Sequence, residues 1–174
     1  MKHSYKGTFE GMTLLPLTEI TSEKYRVLRN NPEIRRWFTF NNEISKTQQK
    51  EWFNNYMKDP NDVMFAIFNG SGNFVGANSL YDIDEHSAEY GRIVIDSKYS
   101  GNGYGYKATI AAMLIARNQM DLKSIRLEVY SKNIPALNIY RKVGFEEIGE
   151  IKDSSGNSMR TMKIDLNTLD IGGQ

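Results

Sequence analysis

Residues 89–117, EYGRIVIDSKYSGNGYGYKATIAAMLIAR, decide how the chain is read. They run from a strand over 88–95, through the turn Ser100-Gly101-Asn102-Gly103-Tyr104-Gly105, into a helix rich in alanine and leucine. A glycine-rich turn that opens a helix clears side chains away and aims several backbone N–H groups at one point. The helix dipole adds roughly half an elementary positive charge there, so the natural guest is a phosphate or pyrophosphate. A Walker loop requires Gly-Lys-Ser/Thr after its spacer, but Tyr106 follows Gly105 and position 100 is Ser100. The dinucleotide fingerprint would place its third glycine at position 106, which is Tyr106, and Asp121 downstream closes a helix instead of a second strand. An ordinary tight turn would account for the glycines taken alone.

A second segment narrows the choice. After a strand over 124–130 comes Asn133-Ile134-Pro135-Ala136-Leu137-Asn138-Ile139-Tyr140-Arg141-Lys142-Val143-Gly144-Phe145. Asn133 can cap a helix, Pro135 falls in its first turn where the missing N–H matters little, and Gly144 is a C-terminal stop. A plain helix packing Ala136, Leu137 and Tyr140 on a sheet explains each residue separately, but not the appearance of both segments in this order. Together they resemble the Arg/Gln-x-x-Gly-x-Gly/Ala loop and the Asn-x-x-Ala-x-x-x-Tyr-x-x-x-Gly-Phe segment of the GNAT superfamily of N-acetyltransferases, with Gly103 and Gly105 on the two small positions of the loop. The resemblance spans nearly the whole chain, and its diagnostic part is 89–145. It implies an α/β fold: one domain with a mixed, mostly antiparallel central sheet flanked by helices, whose splayed central strands hold acetyl-CoA.

Composition sets limits. At 174 residues the chain is long enough for one core. Cysteine is absent, which excludes disulfides, thiolate metal sites and a covalent cysteine intermediate. His3 and His86 are the only histidines, so a histidine triad or metal site is not expected. A net charge of +1 argues against nucleic-acid binding by bulk charge. No apolar run reaches the ~18 residues of a membrane helix. A cytoplasmic protein, monomeric or homodimeric, without membrane or nucleic-acid partner, is the expectation.

Along the chain we expect a first strand over 8–17, helices over 21–30 and 32–38, and a helix from Ser45 to 58 announced by the Ser45/Gln48 capping box. Trp52, Phe53, Tyr56 and Met57 recur on it at helical spacing as core contacts. Strands over 63–68 and 74–81 flank a hairpin turn at 69–73, a polar turn covers 82–87, and a last hairpin pairs 145–152 with 159–166. The domain is expected over 8–167, with 1–7 and 168–174 as flexible ends.

The resemblance implies roles. Main-chain groups of Ile93, Val94 and Ile95 would pair with pantetheine, and Ser100, Gly101, Asn102, Gly103, Tyr104 and Gly105 would hold the pyrophosphate. Asn133 would orient the same arm or simply cap its helix. Glu89 would deprotonate the amine, with Asp82, Asp84 and Glu85 as rivals, and Tyr140 would hydrogen-bond or protonate the departing thiolate. By strand alternation Glu89, Gly91, Ile93 and Ile95 share a face, unless a bulge reverses it. The loop departs from the family in having Ser100 where Arg or Gln is usual; Lys98 or Lys107 flank it as substitutes. Lys107 stands where the ribosomal-protein acetyltransferase branch often has glutamate.

For the acceptor, the stretch from Arg29 to Phe38 followed by Gln49 to Phe53 is similar to the subgroup that acetylates amino groups on nucleotide-linked sugars. Arg35, Trp37 and Phe38 would then meet the substrate, since arginine and aromatic side chains suit a nucleotide diphosphate and base. Surface arginines and core aromatics on two helices would give the same pattern. A polyamine would instead use Glu33, Asp82, Asp84, Glu85 and Glu89; a peptide amino terminus, an aminoglycoside, a non-catalytic acyl-CoA sensor and a nucleotide-binding P-loop protein are the other readings.

Overall fold

The computed structural model describes residues 2–172. Eight strands form one sheet in the order β1-β2-β3-β4-β5-β6-β8-β7. These are β1 (Gly7–Phe9), β2 (Met12–Pro16), β3 (Val63–Phe68), β4 (Phe74–Tyr81), β5 (Ser87–Ile95), β6 (Ser124–Tyr130), β7 (Glu146–Lys152) and β8 (Ser158–Asp165). Every neighbouring pair is antiparallel except β5 and β6. That one parallel step needs a crossover, supplied by helix α4 (Tyr104–Asn118). The remaining helices are α1 (Glu19–Arg29), α2 (Pro32–Arg35), α3 (Lys46–Tyr56) and α5 (Ile134–Val143).

Both faces of the sheet are covered, and β3 shows the reason in its sequence. Val63, Phe65 and Ile67 join the core with Ile110, Met113 and Ile115 of α4, while Met64 and Ala66 join a smaller core with Tyr25 of α1 and Tyr56 of α3. Period-two alternation of wholly apolar residues is what a strand buried on both faces needs.

The expected single strand over 8–17 is two. Glu10 and Gly11 have φ of 46° and 84°, a left-handed pair that turns the chain back on itself as a hairpin. Helix α1 starts at Glu19, earlier than expected, because Thr18 caps it and forms a capping box with Thr21. Helix α2 ends at Arg35, short of Phe38. The capping box at Ser45 and Gln48 forms as read. Tyr56 is buried, but Met57 is 38% exposed and is not a core contact. Asp121 lies past the end of α4, in a loop with φ of 53°.

The segments expected to be flexible make contacts. His3 stacks on Tyr5 at 5.5 Å and meets Phe65 edge-on at 5.3 Å. Leu169 is buried against the main core. Of those two expected ends, Met1 and residues 173–174 lie outside the described residues.

One close approach fixes the centre of the sheet. A Cβ on Gly76 would stand 1.9 Å from the carbonyl oxygen of Val94. No side-chain adjustment relieves a clash with backbone, so β4 and β5 can pair there only through glycine. Gly76→Ala is therefore expected to destabilise the fold by about 1–3 kcal/mol or more, read as a lower urea midpoint by tryptophan fluorescence. An unchanged midpoint would show that the strands separate without cost.

Candidate active site

The parallel ladder between β5 and β6 contains only Ser87 with Ser124, Ala88 with Ile125 and Glu89 with Arg126. Beyond Glu89, β5 continues to Ile95 beside β4, while β6 continues to Tyr130 beside β8. The two strands thus part into a fork whose inner edge includes Ile93, Val94 and Ile95, and the backbone on that edge has no strand partner in β6.

A bulge sits at the fork. Ala77 of β4 pairs with Val94, but Ser79 pairs with Gly91, so β5 carries one extra residue. Arg92 takes it up with φ of 52°. Ser79 Oγ donates to the Gly91 carbonyl at 3.1 Å and fixes the distortion. The bulge reverses the alternation: Ala88 and Tyr90 pack in the α4 core, and so do Ile93 and Ile95, whereas Val94 packs in the opposite one. Glu89 therefore does not share a face with Ile93 and Ile95; it lies on the side of α1 and α3.

The glycine-rich loop faces the mouth of this fork. Gly101 and Gly103 have φ of 81° and 71° with open space where their Cβ atoms would be, so conformation and not crowding requires glycine. Gly103 is the N-cap of α4 and supplies no side-chain cap, which leaves the first-turn N–H groups for an anion. Asn102 Nδ2 donates to the Tyr99 carbonyl at 2.8 Å and braces the loop. Gly105 has a different cause: its Cβ would stand 3.0 Å from Ile139 Cδ1, so it lets α5 lie close to α4. Lys98 lies 4.0 Å from Asp96, and Lys107 is half-buried in the first turn of α4.

A buried polar relay ties that turn to the sheet. Asn78 Nδ2 donates to the Tyr90 hydroxyl at 3.0 Å and to the Ala108 carbonyl at 3.2 Å. Tyr90 and Thr109 hydroxyls are 3.0 Å apart, and Thr109 donates to the Gly105 carbonyl at 2.7 Å.

Tyr140 projects from α5 into this core. Its ring meets Tyr90 edge-on at 6.4 Å and Phe145 at 5.9 Å, and it is 6% exposed. Burial pushes its pKa well above the ordinary value, with Tyr90 and Tyr81 adding to the rise. Asn133 caps α5, its Oδ1 accepting from Ala136 N–H at 3.3 Å.

Glu89 is half-buried opposite Tyr81 of β4 and Arg126 of β6. Burial raises its pKa, the charges of Glu128 and Asp82 raise it further, and Arg126 opposes them. Tyr81, which the sequence reading passed over, is pushed up to about 12 by burial and by Glu89. Its ring lies under the Arg92 guanidinium at 4.5 Å. Asp84, Glu85 and Glu33 are exposed, and Asp84 is spent on the turn amides of His86 and Ser87, both at 2.8 Å.

Two cavities open nearby. One, of about 290 Å³, is lined by Tyr25, Arg29, Phe40, Gln48, Trp52 and Arg92 among others. The second, of about 390 Å³, includes Arg36, Trp37, Tyr130 and Asp153. The expected acceptor residues are thus dispersed: Trp37 lines the second cavity, Phe38 lies under the Arg29 guanidinium at 3.8 Å, and Arg35 lines neither. Sequence reasoning missed Tyr25, Arg92 and Glu128, whose placement depends on which face each strand or helix turns inward. Among the described residues there is no cluster of His, Asp and Glu able to hold a metal, and no helix long and apolar enough to cross a membrane.

Residues 12–146 match the acetyltransferase (GNAT) domain family. A spermidine N(1)-acetyltransferase of Escherichia coli is 25% identical over 139 residues, covering 79% of this chain and 74% of that one. An uncharacterised N-acetyltransferase derived from the SPbeta prophage of Bacillus subtilis is 20% identical over 62% of this chain, and the match spans 61% of that protein's length. In fold, the chain superposes with a TM-score of 0.83 and 22% identity on the spermidine N-acetyltransferase of Vibrio cholerae in complex with CoA and spermine, over 90% of this chain and 96% of that one.

Arg92 reaches Asp62 with its Nη1 at 2.8 and 3.0 Å from the two carboxylate oxygens. Asp62→Asn is expected to destabilise the protein by about 3 kcal/mol, the low end for breaking a buried pair, since 26% of the Arg92 side chain stays exposed. Chemical denaturation measures it; a loss of a few tenths would mean that the pair does not hold the bulge.

Proposed function

The chain belongs to the acetyltransferase (GNAT) family, and we propose that it transfers an acetyl group from acetyl-CoA directly to a primary amine of a small molecule, such as a nucleotide-linked amino sugar. The observation that carries this reading is the fork between β5 and β6, with the uncapped N-terminus of α4 at its mouth and Tyr140 projecting from α5 beside it. Acetyl-CoA supplies an activated thioester. Backbone N–H groups from Ser100 to Gly105 would hold its diphosphate, and main-chain groups of Ile93, Val94 and Ile95 would line its pantetheine arm. Asn133, at the start of α5, would orient that arm while capping the helix.

No enzyme nucleophile is needed, but the amine must lose a proton. An alkylammonium pKa near ~10.4 leaves on the order of one molecule in a thousand reactive at neutral pH, a deficit of roughly 4–5 kcal/mol. Glu89 answers that requirement: its raised pKa makes it a stronger base than an exposed glutamate, and it stands at the last rung before the strands part. Tyr140 answers the other requirement, stabilising the sulfur that leaves. Proton transfer from tyrosine at ~10 to a thiolate at ~8.5 is already uphill by about 2 kcal/mol. Burial widens that gap, so Tyr140 acts as a neutral hydrogen-bond donor.

A second reading is a polyamine acceptor. Glu128 and Asp82 add negative charge around Glu89, and spermidine is the named substrate of several relatives.

Incubation with acetyl-CoA and a panel of amines, following free thiol, tests the proposal. Amine-dependent thiol supports it; acetyl-CoA binding without release would make the chain a sensor. Tyr140→Phe is expected to lower turnover by about one to three orders of magnitude, near the range for a lost general acid or donor, with acetyl-CoA affinity nearly unchanged by calorimetry. Wild-type turnover would remove Tyr140 from the chemistry.

The pH dependence follows from the sign of the Glu89 shift. A raised pKa keeps the base protonated to higher pH, so kcat/KM should climb through an acid limb above the ordinary glutamate value. Glu89→Gln should abolish that limb. Its persistence in the variant would assign the base elsewhere.

A further inference from the structure

The cavity between α1, α3 and the bulge of β5 has a chemical character of its own. Tyr25 is 3% exposed, and its hydroxyl has no hydrogen-bond partner. Arg29 Nε is likewise sealed from water without an acceptor. The Tyr25 hydroxyl lies against the Arg29 side chain and feels the charges of Arg29, Arg92 and Asp62, yet the contact with Arg29 is too poorly aligned to count as a hydrogen bond. Buried donors left without partners are a net cost to a fold. Both residues line one cavity of about 290 Å³, so its wall carries polar groups that the fold itself does not use.

The surroundings specify what that is. Arg29 is locked in place, with Nη2 donating to the Phe40 carbonyl at 2.8 Å and its plane on Phe38 at 3.8 Å. Arg92 is fixed by Asp62 from outside the cavity. No carboxylate lines the wall; donors and two guanidiniums do, alongside Trp52 and Phe40. A polycation would meet like charge here. An oxygen-rich anion complements the two guanidiniums, which bind phosphate well, and a small shift of the Tyr25 and Arg29 side chains would bring their unpartnered donors to it. The volume is at the small end for ligand sites and fits a fragment of a substrate instead of a whole nucleotide.

Position supplies the link to catalysis. Arg92 is at the bulge, over the ring of Tyr81, which pairs across the strands with Glu89. We propose that this cavity is the anion subsite of the acceptor: the substrate is an amine that also carries a phosphate group, held by Tyr25, Arg29 and Arg92 while its amine faces Glu89. The inference rests on the acetyltransferase reading and narrows it to a phosphorylated amine, as a monoester or as part of a nucleoside diphosphate.

Thiol release is compared for glucosamine, its phosphomonoester, a uridine diphosphate-linked amino sugar with a free amine, and spermidine. Phosphorylated amines are expected to exceed glucosamine and spermidine in kcat/KM by tenfold or more, and the better of the two forms identifies the phosphate source. Tyr25→Phe and Arg29→Met should each raise KM for that substrate about tenfold with kcat little changed, collapsing the preference. Tyr25→Phe should unfold at or above the wild-type temperature, because the hydroxyl it loses has no partner; this separates a binding role from a structural one. A preference that survives both substitutions, or one for spermidine, overturns the proposal. If no amine releases thiol, the acetyltransferase reading fails, and thermal shift with uridine diphosphate and inorganic phosphate decides the subsite alone. A shift in wild type that both variants lose supports it; no shift in wild type overturns it.

Discussion

On one side β5 is bonded to β4 from Glu89 to Ile95, and on the other it is bonded to β6 only from Ser87 to Glu89. Everything at the site depends on that imbalance. A parallel strand freed along one edge exposes main-chain donors and acceptors that must find partners, and it does so beside a helix that begins with an uncapped glycine. The opening is not slack. Gly76 admits the Val94 carbonyl where no other residue would, the bulge at Arg92 is pinned by Ser79, and the Asn78–Tyr90–Thr109 relay binds the first turn of α4 to the same strands. The β4–β5 side of the fork and the first turn of α4 are therefore braced together, a preformed geometry that would accept an extended ligand without first ordering the protein.

The same burial that makes the scaffold rigid sets the protonation states within it. Tyr81, Tyr90 and Tyr140 are all displaced toward the neutral phenol because water is excluded from them. Neutral phenols are donors at every physiological pH, and none competes with a carboxylate for a proton. Glu89 is displaced in the protonated direction by the same physics. A carboxylate raised in this way suits the proton-accepting role proposed for it.

Much of this was legible in the residues. The capping boxes and punctuating glycines carry their geometry locally, so Ser45 with Gln48, the hairpin at 69–73, and the helix between Asn133 and Gly144 were readable from spacing alone. What was hidden depends on contacts between distant segments. The left-handed pair Glu10 and Gly11 splits a strand that looked continuous. The bulge at Arg92 transfers Glu89 to the face opposite Ile93 and Ile95, a change alternation admits but cannot locate. Helix α1 begins before residue 21 because Thr18 and Thr21 cap it together, each side chain accepting from the other's backbone N–H. Tyr25 and Arg29 carry no motif; only the packing of α1 against α3 reveals that their polar atoms have nothing to bind.

The charges around the fork are sorted in space. Glu89, with Glu128 and Asp82 near it, gathers negative potential where the strands part. Arg29 and Arg92 gather positive potential in the adjoining cavity, and the Tyr81 ring lies between, touched by the field of both. A polycation complements only the first half and a simple anion only the second. A molecule with an ammonium at one end and a phosphate at the other complements both, and a partly buried setting, less screened than the surface, gives each half more weight than it would have there. The spermidine N-acetyltransferase of Vibrio cholerae shares the overall fold, so the fold by itself does not choose between the two kinds of acceptor. On the proposed reading Arg29 and Arg92 would be the groups that sort acceptors, because they line a cavity beside the bulge and away from Glu89, where they would meet only what is attached to the amine.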